Sequence, residues 1–138
     1  MMLAIHFLAH WLWTRRVPLL PRFLYQINRA LFAVVLPPSV AVGKRVQFSY
    51  SGLGTVVHAR AVIGNGVSIG AGVVIGGRSG ASEVPIIEDD VEIGVGAKIL
   101  GAIRIGRGSV IGANAVVIKD VPAGSVAVGV PARIISKQ

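Results

Sequence analysis

The 138-residue sequence contains no cysteine. No disulfide framework and no thiolate metal site can form, which fits a reducing compartment. Aromatic residues are scarce at 6%, although hydrophobic residues make up 53%. The apolar mass is therefore Val, Ile and Ala, which favours short strands and tight turns over a helical bundle. Acids are scarce too: six Asp and Glu face fourteen Lys and Arg, for a formal net charge of +8. That balance favours anionic partners such as phosphates, nucleic acid or an acidic membrane surface. The basic residues are scattered and no basic-aromatic RNA-binding module accompanies them, so nucleic acid is set aside. No uncharged stretch reaches the roughly 18–20 residues of a spanning helix. In the apolar N-terminus, MMLAIHFLAHWLWTRR, the positive charges follow the apolar run and no A-x-A site comes close behind. It does not read as a signal peptide. The expectation is a cytoplasmic protein, with the inner face of a membrane as an alternative station.

What the sequence does have is glycine, 18 residues of it, and the distribution divides the chain at Pro37-Pro38. Residues 1–36 hold six of the eight aromatics and few glycines, and read as a helical segment. One helix is expected over about Leu3 to Arg15. A second starts at Pro21, a favoured first helical position, with Leu24, Ile27, Leu31 and Val34 on one face and Arg22, Gln26 and Arg29 on the other. Pro37-Pro38 is expected to stop it.

Residues 37–138 carry an internal repeat. Steps of six from Val57 meet Ile63, Ile69, Ile75, Ala81, Ile87, Ile93, Ile99, Ile105, Ile111 and Val117. The following position is often glycine, as at Gly64, Gly70, Gly76, Gly94, Gly106 and Gly112. A period of six matches neither the 3.6 of a helix nor simple strand alternation. It matches a short strand plus a corner, with one β-branched residue per hexad pointing inward. Asn65 and Asn114 suit positive-φ corner positions. Three hexads make a triangular coil, and stacked coils bury a continuous aliphatic column. An ordinary β-sandwich would have to reproduce the spacing by chance. Two stretches break the count, Ser49 to Thr55 (SYSGLGT) and Gly77 to Ile86 (GRSGASEVPI). Regular coils need no such excursions, which makes these the places to look for function.

Four segments, GLGTVVHARAVIG (52–64), VVIGGRSG (73–80), IGVGAKILGAIRIG (93–106) and IGANAVVIKDVPAGSVAVGVPARII (111–135), resemble the hexapeptide-repeat acetyltransferases. The resemblance is to the serine-acetyltransferase-like branch associated with exopolysaccharide and capsule biosynthesis. It implies a mainly β fold, a left-handed parallel β-helix preceded here by a short helical pair. It also implies a homotrimer and acetyl-CoA bound in clefts between neighbouring subunits, with no metal. Three departures stand out. Serine acetyltransferases carry a large helical domain before the β-helix, against about 36 residues here. Their catalytic histidine lies just before the GxGxVV stretch, where this sequence reads Ser49-Tyr50-Ser51. Their C-terminal isoleucine, used by many to dock on a partner enzyme, has no match in Ser136-Lys137-Gln138.

Acetyl transfer needs a base for the acceptor hydroxyl, donors for the oxyanion and a groove for coenzyme A. His58 is the one histidine of the β-helix and stands where hexads usually have glycine. It is the candidate general base, and the related exopolysaccharide enzymes carry histidine at this place. The bland alternative is a corner histidine with no task. Tyr50 and Ser51 are candidates for positioning substrate or His58, and Glu83 for orienting His58 across a subunit boundary. One coil after His58 come Gly76 and Gly77, whose bare backbone would admit the thioester, and then Arg78 for a phosphate or an acidic group. The resemblance points to Gly94, Ala97, Ala113 and Arg133 for coenzyme A, with Lys119 a weaker choice. The run Glu88-Asp89-Asp90 reads as a solvated corner. His6 and His10 lie at i, i+4 but lack a third ligand. A γ-class carbonic anhydrase, which shares the β-helix, needs three histidines around its zinc. Trp11, Trp13, Arg15 and Arg16 suit either a membrane surface or packing on the end of the β-helix. The sequence thus points to an O-acetyltransferase acting on a saccharide hydroxyl. A short serine O-acetyltransferase and a non-catalytic scaffold are the alternatives, and N-acetylation of an amino sugar stays open.

Overall fold

The computed structural model describes residues 1–137, with side chains through Ile135. Two helices, α1 (Met2–Thr14) and α2 (Leu20–Phe32), sit on one end of a parallel β-helix. The first coil comprises β1 (Ala41–Val42), β2 (Gln47–Phe48) and β3 (Val56–Val57). The second comprises β4 (Val62–Ile63), β5 (Ser68–Ile69) and β6 (Val74–Gly76). The third comprises β7 (Ile86–Ile87), β8 (Glu92–Ile93) and β9 (Lys98–Leu100), and the fourth β10 (Arg104–Ile105), β11 (Val110–Ile111) and β12 (Val116–Val117). Strands of successive coils pair in parallel into three faces, β1-β4-β7-β10, β2-β5-β8-β11 and β3-β6-β9-β12. At the far end β13 (Ser125–Val128) extends the second face, and β14 (Arg133–Lys137) closes it antiparallel.

Each face contributes one inward column. On the third face Val57, Ile75, Ile99 and Val117 are in register and buried. Ile63, Ile87 and Ile105 do the same on the first face, and Ile69, Ile93 and Ile111 on the second. Burying a β-branched side chain of this size contributes about 1.5–3 kcal/mol, so the columns are the main source of stability. Small residues such as Ala61, Ala97 and Ala115 fill the inner corners.

The hexad count holds with one exception. Ala81 is not in a column; it closes a turn with its N–H on the carbonyl of Arg78. The register passes from Ile75 to Ile99, a step of 24 residues where Val57 to Ile75 is 18. The second excursion is therefore a six-residue insertion between the second and third coils. The first excursion forms a 3-10 turn, Ser49–Gly52, with Tyr50 and Ser51 both in the left-handed region. Asn114 has the positive φ expected of it, at 58°. Asn65 does not: Gly66 takes that conformation, and the Asn65 side chain accepts the Lys44 N–H at 2.8 Å.

The helices depart further from expectation. α2 ends at Phe32, before the prolines, because Ala33 adopts φ 52°. The chain then enters the β-helix at once, with Val34 and Leu36 buried and the Val35 N–H on the Thr55 carbonyl at 2.9 Å. The apolar face expected of α2 is turned inward at Leu24, Ile27 and Val34, and Arg22, Gln26 and Arg29 face solvent, but the inner face is not purely apolar. Leu31 is exposed, whereas Asn28 is buried and donates to the Met2 carbonyl at 3.2 Å. His6 and His10 point at the first coil. Their ring nitrogens donate to the carbonyls of Val40 (3.1 Å) and Pro38 (2.8 Å), which fixes the helical pair on the β-helix. Burial holds the His6 imidazole at a pKa of about 4, against an ordinary 6.5.

Candidate active site

The sequence-predicted residues collect at two different corners. The third corner, where the chain turns from the third face back to the first, follows β3 with His58 and β6 with Gly76. Val57 pairs with Ile75, so His58 lies over Gly76, and the His58 N–H reaches the Ile75 carbonyl at 2.8 Å. The loop that holds the insertion, residues 77–85, grows from this corner and carries Arg78 and Glu83, both exposed. Buried Val84 and Pro85 anchor its return, and Arg60 Nη2 donates to the Ser82 carbonyl at 2.8 Å. Arg60 was not singled out from sequence; an arginine two residues after the corner histidine gives no signal until the loop is seen beside it. Lys119 follows β12 at the same corner. Tyr50 and Ser51 lie at the opposite end of β3, at the second corner, so within one chain they are not placed beside His58. Gly94, Ala97 and Ala113 belong to that second corner too, and Arg133 begins β14 at the end of the β-helix.

Glycine separates two kinds of position. A Cβ on Gly94 would lie 2.6 Å from the Ala113 nitrogen and 2.9 Å from its Cα. Gly70 has the same problem against Val95, at 2.6 Å. These glycines are imposed by coil stacking. Gly76 and Gly77 are not: a Cβ on Gly76 would meet nothing nearer than 3.7 Å, and on Gly77 nothing nearer than 4.0 Å. Neither has positive φ. Their lack of side chains leaves open backbone beneath His58, as an approaching ligand requires. Ala97 is completely buried, so its methyl group fills the core and cannot line an external groove. Ala113 is exposed.

The His58 ring has a defined orientation. Its Nδ1 lies 3.1 Å from the Arg60 backbone nitrogen, whose hydrogen it accepts. In the neutral ring the proton therefore sits on Nε2, the outward nitrogen. So placed, His58 offers a hydrogen-bond donor rather than a free lone pair.

The acidic run braces the first corner. Glu88 accepts from Arg104 Nη1 at 2.7 Å and from the Arg107 N–H at 3.0 Å, and this bonding holds its carboxyl below the usual range. Asp89 accepts the Asn65 N–H at 2.8 Å. Lys98, on β9, donates to the Gly72 carbonyl at 3.4 Å and also to that of Gly96.

A family model described as bacterial transferase hexapeptide (six repeats) matches residues 85–119. Serine acetyltransferase of Mycobacterium tuberculosis is 44% identical over 134 residues, covering 96% of this chain and 58% of that protein. That of Escherichia coli K12 is 42% identical, covering 94% and 48%. Over nearly all of its length the chain is thus similar to a part of these serine acetyltransferases. The fold agrees with that likeness. A Brucella abortus serine acetyltransferase in complex with coenzyme A superposes with a TM-score of 0.93 at 37% identity, over 99% of this chain and 55% of that one. A soybean serine acetyltransferase complexed with serine gives 0.92 at 41%, over 97% and 56%. The chain spans about half to three-fifths of the length of these relatives.

Proposed function

We propose that this chain acts as an acetyl-CoA-dependent O-acetyltransferase with serine as its acceptor. The carrying observation is near-complete superposition on relatives crystallised with coenzyme A and with serine. The acceptor hydroxyl oxygen attacks the thioester carbonyl carbon, the carbon–sulfur bond breaks, and the hydroxyl proton ends on the thiol. The open backbone at Gly76 and Gly77 supports a thioester lying at the third corner. His58 Nε2–H is set to donate to the carbonyl oxygen as it gains charge. Acting as the base instead requires the ring to turn and release the Arg60 N–H. Arg78 and Lys119 supply exposed cations for phosphates at the same corner. The second corner, with Tyr50, Gly94 and Ala113, is too distant along β3 to complete this site within one chain. Assembly as a homotrimer would bring one subunit's third corner to another's second corner, with Glu83 exposed on the third-corner loop.

A saccharide hydroxyl is the second reading. It rests on the Ser49-Tyr50-Ser51 segment, which offers no imidazole where the resemblance places the base for serine. Relatives' names favour serine. Thiol release from acetyl-CoA, measured with L-serine and with nucleotide- or lipid-linked sugars, separates the two. His58→Ala should abolish release with the true acceptor; unchanged turnover would make the chain a scaffold at this corner. His58→Gln keeps a donor but no base. Activity retained in His58→Gln, with a flat profile between pH 5.5 and 8, supports the donor role; a profile rising through the imidazole range in the wild type returns the base role.

A further inference from the structure

α1 is apolar on its outer face as well as its inner one. Its buried positions are Met2, His6 and Ala9, and its imidazoles point inward onto carbonyls of the first coil. Its outward positions are Phe7, Leu8, Trp11 and Trp13, each between 42% and 52% exposed. A helix that is apolar on its solvent face needs a cover. The charge around it is of one sign. Residues 1–82 carry eight Lys and Arg and no acid at all; the first carboxylate is Glu83. Residues 83–138 carry six bases and six acids. Because the β-helix stacks coils in sequence order, the whole net charge of +8 belongs to the end that carries the helices. Arg15 stacks over Trp11 at 4.7 Å. Trp13 lines a recess of about 360 Å³ with Val17, Tyr25 and Arg22, and a second one with Arg16.

We propose that the outer face of α1, with the α1–α2 turn, docks on an anionic lipid surface. Tryptophan and leucine enter the headgroup boundary while Arg15, Arg16 and Arg22 meet lipid phosphates. No helix among the described residues is long and apolar enough to cross a membrane, so this is surface attachment. A second copy of the chain is the poorer occupant. A symmetric contact through this face would set arginine against arginine with no carboxylate between them. The proposal is independent of the acetyl-transfer reading.

Flotation of the full chain with phosphatidylcholine vesicles, with and without 30% phosphatidylglycerol, tests it. Binding is expected on the anionic vesicles at low salt and should fall steeply at 0.5 M salt. Arg15→Gln with Arg16→Gln should weaken it about 30-fold. Leu8→Ser with Trp11→Ser alters exposed positions only and should abolish it while leaving the circular dichroism spectrum unchanged. No binding to anionic vesicles overturns the proposal. So does a wild-type oligomer that dissociates in the Leu8→Ser, Trp11→Ser variant, since the face would then be an interface between copies.

Discussion

Gly94→Ala and Gly77→Ala form a matched pair whose outcomes the geometry sets apart. Both add one methyl group at a corner glycine without positive φ. At Gly94 the new Cβ falls 2.6 Å from the Ala113 nitrogen and 2.9 Å from the Gly112 carbonyl carbon. Ordinary contact begins near 3.5 Å, so the fourth coil must move away by most of an ångström. The obstructing atoms are backbone, held by the Gly94 N–H on the Ile111 carbonyl at 2.8 Å and the Asn114 N–H on the Val95 carbonyl at 2.9 Å. Overpacking of this kind costs about 2 kcal/mol, and more if the ladder opens. At roughly 4 °C per kcal/mol for a chain of this size, Tm should fall by about 8 °C. At Gly77 the nearest atom is Val84 Cγ1 at 4.0 Å, and the loss of unfolded-chain entropy slightly favours alanine. Tm there should stay within about 2 °C. Thermal unfolding at one fixed protein concentration reads both. A Gly94→Ala protein as stable as the wild type would refute the stacking account, and would restore Gly94 as a residue kept small for a ligand. If the third corner receives the thioester, Gly77→Val should lower acetyl transfer at unchanged Tm.

Three further outcomes follow from buried groups and one tether. Ile99→Ala removes three carbons from a fully buried position in mid-column and should cost about 3 kcal/mol by urea unfolding, whereas Val62→Ala, on an exposed side chain, should cost under about 0.5 kcal/mol. His6 titrates near 4 when folded and near 6.5 when unfolded, so its stabilisation is complete above pH 6.5 and is lost as pH falls toward 4. That loss is at most about 3 kcal/mol, and His6→Gln should flatten the slope of stability against pH in this window. Arg60→Ala should leave Tm nearly unchanged, because the bond is exposed, but should speed proteolytic cleavage within residues 77–85 by freeing Ser82.

The columns were legible because β-branched residues recur at a fixed interval and the fold needs one of them per face. The insertion was harder to see for an arithmetic reason. It adds six residues, so Ile87 keeps the phase of Ile75 and a count in sixes runs straight through Ala81. The strand pairings, Ile63 with Ile87 and Ile75 with Ile99, expose the longer step. Single helix positions escaped for a different reason. Amphipathic patterning assumes polar residues outward, but Asn28 faces inward onto a carbonyl of the other helix and His6 onto one of the first coil. Leu31, Leu8 and Trp11 are left outside.

The site was legible as a list and not as a place. His58, Gly76 and Gly77 share a corner because eighteen residues make one coil, and that follows from the repeat alone. The candidates at these corners were chosen for small size, and size has more than one cause in this fold. Ala97 is small because it fills an inner corner, Gly94 because the next coil passes 2.6 Å from where its Cβ would be, and Gly77 for neither reason. Sequence cannot separate them, since each reads as a small residue in phase with the hexads. Once core filling, stacking and positive-φ turns are subtracted, the glycines that remain unexplained lie under the one histidine of the β-helix. That residue of unexplained space, rather than the histidine's rarity, is the stronger reason to look for chemistry at the third corner.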